Sequence, residues 1–354
     1  MKILTIVGNR PQFIKAAAVS GLLRAEHEEV LVHTGQHYDD ALSSVFFAEL
    51  GLAQPEYQLG IGGGTNTSQT ARMLAALEPL LHECGPDAVL VYGDTNSTLA
   101  GGLAGAQAQI PVVHVEAGMR SFDRTMPEEL NRVLTDHLSE LLLCSSEVSA
   151  ANLRAESVAG RIEVVGDVMV DVALRRLPGA RADTQTLRKY GVEPGEYLLC
   201  TAHRAGNVDD PARLRKLVEL LRALPGPVVL PVHPRTHARL QDAGLLEELA
   251  RAEGMQLTEP LGYVQLSALL CQARAVVTDS GGVQKEAYLA GVPCITLRAN
   301  TEWVETVTHG WNTLVDLDRE AALAALERTP PRERPTLYGD GHAAERCVAA
   351  IGVL

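Results

Sequence analysis

Three carboxylates occupy the segments that follow short apolar runs: Asp94 after AVLVYG, Glu116 at the end of PVVHVE, and Glu128 further along that second segment, just past Pro127 in TMPEELNR. Taken singly, two of them have ordinary explanations. Asp94 suits the N-cap of the segment that follows, and Glu128 suits a helix start, where acidic residues complement the dipole. Glu116 directly follows an apolar run, a poor place for a solvated carboxylate. Together the three form a pattern. If the runs are neighbouring parallel strands, their ends lie along one edge, and carboxylates gathered there can serve as general acids and bases.

A second constellation reads TDSGGVQKEAYLAGVP (278–293). An apolar run ends at Asp279, two glycines open the backbone, and a helical pattern begins. Ser280, Gly281 and Gly282 can therefore offer backbone N–H groups and a hydroxyl to a pyrophosphate at that helix start. Glu286, one turn on, can accept from the vicinal hydroxyls of a ribose. Cations stand behind other strand-like runs: Arg10 and Lys15 in GNRPQFIK, and His203 and Arg204 in AHRAGN. His233, Arg235 and His237 follow in VHPRTH. His233 and His237 stand four residues apart, but no HxxxH helix and no carboxylate in register is read around them, so they are not read as a metal site. GIGGGTN (60–66) does not match GxGxxG and is read as a flexible loop.

Positioning such residues requires a frame. Runs at 3–7, 29–34, 88–93, 111–116, 140–145 and 161–166 alternate with helix-period segments near 11–25, 39–50, 66–84, 97–108, 128–139 and 146–156. That alternation specifies a doubly wound parallel sheet. LRRLPGARADTQ (174–185) reads as a linker, after which the rhythm restarts with runs at 196–201, 227–233, 255–260, 275–280, 293–298 and 313–317. The expected organisation is α/β: a first Rossmann-like domain over 1–173 and a second over 174–341. A last helix over 342–354 packs back on the first. Ligands of such sheets bind outside the carboxyl ends of the strands, so two such domains present a cleft.

Composition agrees and excludes some classes. In 354 residues, 46% hydrophobic content with only 4% aromatics implies a Leu/Val/Ile/Ala interior, as in sheets covered by helices. A formal net charge of −13 argues against nucleic-acid binding. The six cysteines form no CxxC pair and read as buried thiols. No apolar run reaches the ~18 residues of a membrane span, and the N-terminal run is too short for a signal-peptide core, so a cytoplasmic protein is expected.

The ordered motifs GNRPQFIK, TGQHYDD, YGDTNST, HVEAGMR, PEELNR, TAHR, DSGGVQKEA, TEWVE and YGDG span nearly the whole chain. Together they resemble the non-hydrolysing UDP-N-acetylglucosamine 2-epimerase family. The resemblance implies two Rossmann-like domains of the glycosyltransferase-B type facing across a cleft, a homodimer and no cofactor. It implies Asp94, Glu116, Glu128 and His203 as catalytic candidates. It places Arg10, Lys15, His203, Arg204, Ser280, Gly281, Gly282, Glu286 and Arg298 on the UDP-sugar. The implied reaction removes the C2 proton and expels UDP from C1, giving 2-acetamidoglucal, and UDP then re-adds with protonation of the opposite face. Many members read GGxQEEA, TERPE and QHR; this chain has Lys285, Trp303 with Val304, and Gln36-His37-Tyr38. Those departures resemble a branch that epimerises UDP-2,3-diacetamido-2,3-dideoxy-glucuronate. There Lys285 either neutralises the extra carboxylate or is a solvated helix residue. Other classes on the same frame are a glycosyltransferase, a hydrolysing 2-epimerase and a non-catalytic nucleotide-sugar binder.

Overall fold

The computed structural model describes residues 1–36 and 51–354, which form two compact units: Met1–Val172 with Thr336–Leu354, and Ala173–Pro335. The expected helix at 39–50, together with His37 and Tyr38, lies outside the described residues.

Unit 1 holds a parallel sheet whose described strands are β1 (Lys2–Val7), β2 (Glu28–His33), β3 (Tyr57–Gln58), β4 (Ala88–Tyr92), β5 (Val112–Ala117), β6 (Leu141–Cys144) and β7 (Arg161–Val164). Their order is β3-β2-β1-β4-β5-β6-β7. Unit 2 repeats the pattern with β8 (Leu198–Thr201), β9 (Val228–Pro231), β10 (Met255–Thr258), β11 (Ala275–Thr278), β12 (Cys294–Thr296) and β13 (Asn312–Leu314), ordered β10-β9-β8-β11-β12-β13. Each apolar run of the sequence becomes a strand. The exception in the other direction is β3, two residues long and without any apolar run to mark it. Central strands are buried on both faces, as uninterrupted Val/Leu/Ile runs require.

In each unit the strand order reverses once, between β1 and β4 in the first and between β8 and β11 in the second. At such a switch point adjacent strands send their connections to opposite faces and leave a crevice beyond their carboxyl ends. The segments beginning at Gly8 and Gly93 follow the switch strands of unit 1. Those beginning at Ala202 and Asp279 follow the switch strands of unit 2.

Two details of organisation differ from the sequence reading. The stretch 174–185 is not an open linker: it lies in the helices Val168–Ala182 and Thr184–Lys189. Pro178 and Gly179 suggested a break, but Leu177 packs against the core of unit 2 around Leu187, Tyr197 and Leu269, and that burial holds the helix through them. The turn at 338–341 falls in unit 1. The last helix, Ala343–Ile351, is fastened in unit 1 by the buried carboxylate of Asp171, which accepts from the N–H groups of Ala343 (3.1 Å) and Ala344 (2.7 Å). All six cysteines are free thiols, four of them buried. Among the described residues no helix is long and apolar enough to cross a membrane, and no three His, Cys, Asp or Glu residues cluster as metal ligands.

Candidate active site

The switch point of unit 1 is assembled around one glutamine. Asn9 caps the helix Arg10–Glu26 by accepting from Gln12 N–H, which places Arg10 in the first turn and Lys15 one turn further on. The Gln12 amide then joins the two switch strands: its Oε1 accepts from Gly8 N–H at 2.7 Å, and its Nε2 donates to Tyr92 O at 2.8 Å and to Thr98 Oγ1 at 2.9 Å. Gly8 has no room for a side chain, since a Cβ there would sit 2.0 Å from Ser97 Oγ.

Lys15 donates to Glu116 across 101 residues of sequence, and the two side chains are only 11% and 10% exposed. Glu116 reaches this position because β5 breaks its register between Val115 and Ala117 and the residue adopts a left-handed φ of 72°. A non-glycine residue in that region is strained, and such strain concentrates at functional sites. Gly93 makes space for the pair: a Cβ there would lie 2.9 Å from Lys15 Nζ and 3.3 Å from Glu116 Oε2. Burial alone would lower the Lys15 pKa, but the charges of Glu116 and Asp94 outweigh it and raise the group, so it remains an ammonium.

Asp94 does not cap the next helix. That role belongs to Thr95, whose hydroxyl accepts from Thr98 N–H in a capping box. Asp94 instead accepts from Arg132 at 2.5 Å, and Asn131 Nδ2 donates to the Asp94 backbone carbonyl at 3.0 Å. Arg132 also bridges to Glu129, which accepts from the N–H groups of Ser121 and Phe122 and so anchors the 121–122 turn. Glu128 is exposed in the first turn of the helix Pro127–Leu138 and makes no ion pair among the described residues. The structure thus joins Lys15, Glu116 and Asp94 electrostatically and leaves Glu128 apart. Gln12, Glu129 and Arg132 were missed from sequence, because nothing local distinguishes them from surface polar residues.

At the switch point of unit 2, the buried Asp279 carboxylate accepts from the N–H groups of His203 (3.1 Å) and Arg204 (3.0 Å) and from Asn207 Nδ2 (3.1 Å). The His203 ring stacks on His233 with centroids 5.3 Å apart. Ser280 is the N-cap of the helix Gly281–Ala290, yet its hydroxyl caps nothing, and Gly281 and Gly282 occupy the first turn. Two arginines belong to this corner through one carboxylate. Glu302 accepts from both Arg298 NH groups at 2.9 Å and lies 3.7 Å from Arg204. Burial would raise the Glu302 pKa, and Arg298 overrides it and lowers the group. A helix start with free backbone N–H groups and flanking arginines is equipped to take a pyrophosphate.

Glu286 lines a narrow cavity with Tyr263, Ser267 and Cys271. Burial pushes its carboxyl up to about 7, against the opposing charge of Lys285. Lys285 is not a solvated helix residue. It is 2% exposed, with Nζ 4.4 Å from the centre of the Trp303 ring, and Trp303 Nε1 donates to Gly281 O at 2.8 Å. The two departures at 285 and 303 are therefore one contact that props the helix start.

Fold and sites define a class: a doubly wound α/β enzyme of two similar units, one presenting a buried Lys–Glu pair at its switch point and the other an anion-ready helix start. The model of the UDP-N-acetylglucosamine 2-epimerase family matches residues 22–352. A UDP-N-acetylglucosamine 2-epimerase homolog of Methanococcus maripaludis is 45% identical over 354 residues, covering 99% of each chain. The UDP-2,3-diacetamido-2,3-dideoxy-D-glucuronate 2-epimerase of Pseudomonas aeruginosa is 46% identical over 366 residues, covering both chains completely. The UDP-GlcNAc 2-epimerase of Methanocaldococcus jannaschii, solved in complex with UDP-GlcNAc and UDP, superimposes with a TM-score of 0.92 at 39% identity over the whole of both chains. This chain belongs to the UDP-N-acetylglucosamine 2-epimerase family, and it is an epimerase of sugar nucleotides.

Proposed function

We propose that the protein interconverts UDP-N-acetylglucosamine and UDP-N-acetylmannosamine without net hydrolysis. The observation that carries this reading is the buried Lys15–Glu116 pair, with Asp94 beside it, at the switch point of unit 1. The C2 proton of the sugar is very weakly acidic, so its removal needs a positioned carboxylate, and its return to the other face needs a positioned acid. We assign Glu116 and Asp94 to those two transfers, with Glu128 as a further candidate carboxylate on the neighbouring helix. As the C2–H bond breaks, its electron pair forms the C1–C2 double bond, and the C1–O bond breaks toward UDP. Addition re-forms the C1–O bond to UDP with the original C1 configuration and delivers the proton to the opposite face of C2, so only C2 is inverted.

The leaving pyrophosphate gathers negative charge, which Ser280, Gly281, Gly282, Arg204 and Arg298 are disposed to spread, with His203 as a further donor. Glu286 takes the ribose hydroxyls. The same chemistry on UDP-2,3-diacetamido-2,3-dideoxy-D-glucuronate is the second reading, supported by the 46% identity with the Pseudomonas aeruginosa enzyme. The protein is further read as cytoplasmic and as a homodimer; light scattering tests the dimer, and cell fractionation tests the location.

Incubation with each UDP-sugar in D₂O, followed by NMR, decides the chemistry. Deuterium at C2 with formation of the epimer is expected. An unlabelled sugar with no interconversion overturns the reading for that substrate. Release of free N-acetylmannosamine instead identifies a hydrolysing enzyme.

A further inference from the structure

A fully buried histidine lies behind the strand ends that carry the candidate carboxylates, and the reaction scheme above makes no use of it. His114, on β5, is 0% exposed. Its Nε2 is 2.7 Å from the backbone carbonyl of Gly93, and its Nδ1 is 2.7 Å from Asp136 Oδ1. A carbonyl oxygen only accepts, so Nε2 carries a proton. Asp136 is also surrounded by donors: Arg120 NH1 at 2.7 Å and Gly118 N–H at 3.2 Å. Its oxygens are acceptors, so Nδ1 carries a proton as well. Arg120 continues the chain to Glu156 through two bonds of 2.8 and 2.7 Å. Cation and anion alternate as His114, Asp136, Arg120 and Glu156, which is how buried charges are tolerated.

We propose that His114 is a buried imidazolium acting as a positioning residue, whose Nε2–H clamps the Gly93 carbonyl and so sets the Lys15–Glu116–Asp94 geometry. His114 precedes Glu116 by two residues on β5, and the carbonyl it holds belongs to the residue before Asp94. Gly93 is held twice, since its own N–H donates to Val115 O at 3.0 Å. With both groups fixed, the bare Cα of Gly93 is turned toward Lys15 Nζ and Glu116 Oε2. One ring thus ties together the strand ends bearing both candidate carboxylates. The inference rests on the acid/base reading of those residues.

Two measurements test it. In protein labelled with [¹⁵N]histidine at neutral pH, both His114 ring nitrogens should resonate as protonated nitrogens. Nε2 should also show coupling through the hydrogen bond to the ¹³C carbonyl of Gly93. A signal from an unprotonated ring nitrogen, or no such coupling, overturns the proposal. In the full-length His114→Gln variant, which cannot donate to both partners, kcat should fall about 100-fold while KM and the Kd for UDP stay unchanged. Wild-type kcat in that variant also overturns it. If the variant does not fold, the wild-type spectra decide. Wild-type protein that turns over neither UDP-sugar refutes the proposed function instead, and the spectra still decide the state of His114.

Discussion

Glu286 makes the stability of the free protein and its affinity for UDP move in opposite directions with pH. Moving a carboxyl from 4.5 to about 7 corresponds to about 3 kcal/mol, at about 1.36 kcal/mol per pH unit. The residue keeps some solvent contact, which reduces the expected dependence to about 1–2 kcal/mol. The raised pKa fixes the sign. Below pH 4.5 the group is protonated in both the folded and unfolded chains, and its contribution to stability is fully present. That contribution is lost as pH rises through 7, because the unfolded chain ionises first. Binding runs the other way. A carboxylate accepts from ribose hydroxyls better than a neutral acid does, so affinity for UDP should rise about tenfold between pH 6 and pH 8.

The assay pairs wild type with Glu286→Gln. Thermal melting from pH 5 to pH 8 should show wild type losing stability relative to the variant as pH rises. Calorimetric titration with UDP should show a pH-dependent gain in wild type that the variant lacks. UDP's own phosphate titrates in the same window, and subtracting the variant removes that contribution. Parallel melting curves and parallel affinities for the two proteins would refute both the burial-driven shift and the ribose assignment.

Two further outcomes follow from the geometry. Gly93→Ala should lose about 1 kcal/mol of stability from placing a side chain at a φ of 65°, as urea unfolding would show, because the nearest clashing atoms are flexible side-chain ends. Its turnover should drop further, about 100-fold, since the new methyl displaces Lys15 from Glu116; unchanged turnover would mean that the pair is not used. Glu302→Gln should release Arg298 and Arg204 from their shared carboxylate and weaken UDP binding about tenfold, or about 1.4 kcal/mol, and it should lower the melting temperature because the buried Arg298 loses its counter-charge. An unaltered Kd would show that the two arginines do not need Glu302 to hold them.

Sequence by itself determined the frame. Thirteen described strands alternate with helices because short β-branched runs and helix-period segments alternate in the chain, and local chemistry marks where each strand stops. The glycines after Asp279 announced a helix start open to an anion, since only backbone without side chains leaves those N–H groups uncovered. Tertiary structure decided what the strand-end residues are for. Asp94 looked like a cap and is an ion-pair partner of Arg132, 38 residues away. Glu128 was grouped with Glu116 as a candidate carboxylate, and only Glu116 is drawn into a buried pair, because a register break in β5 turns it toward Lys15. Lys285 and Trp303 read as two separate departures and are one packed contact. An apparent linker is helix because Leu177 finds a core to enter. The reason is common to all four: periodicity and turn chemistry act between near neighbours in the chain. Charge pairing, desolvation and packing depend on which distant segments the sheet order brings together.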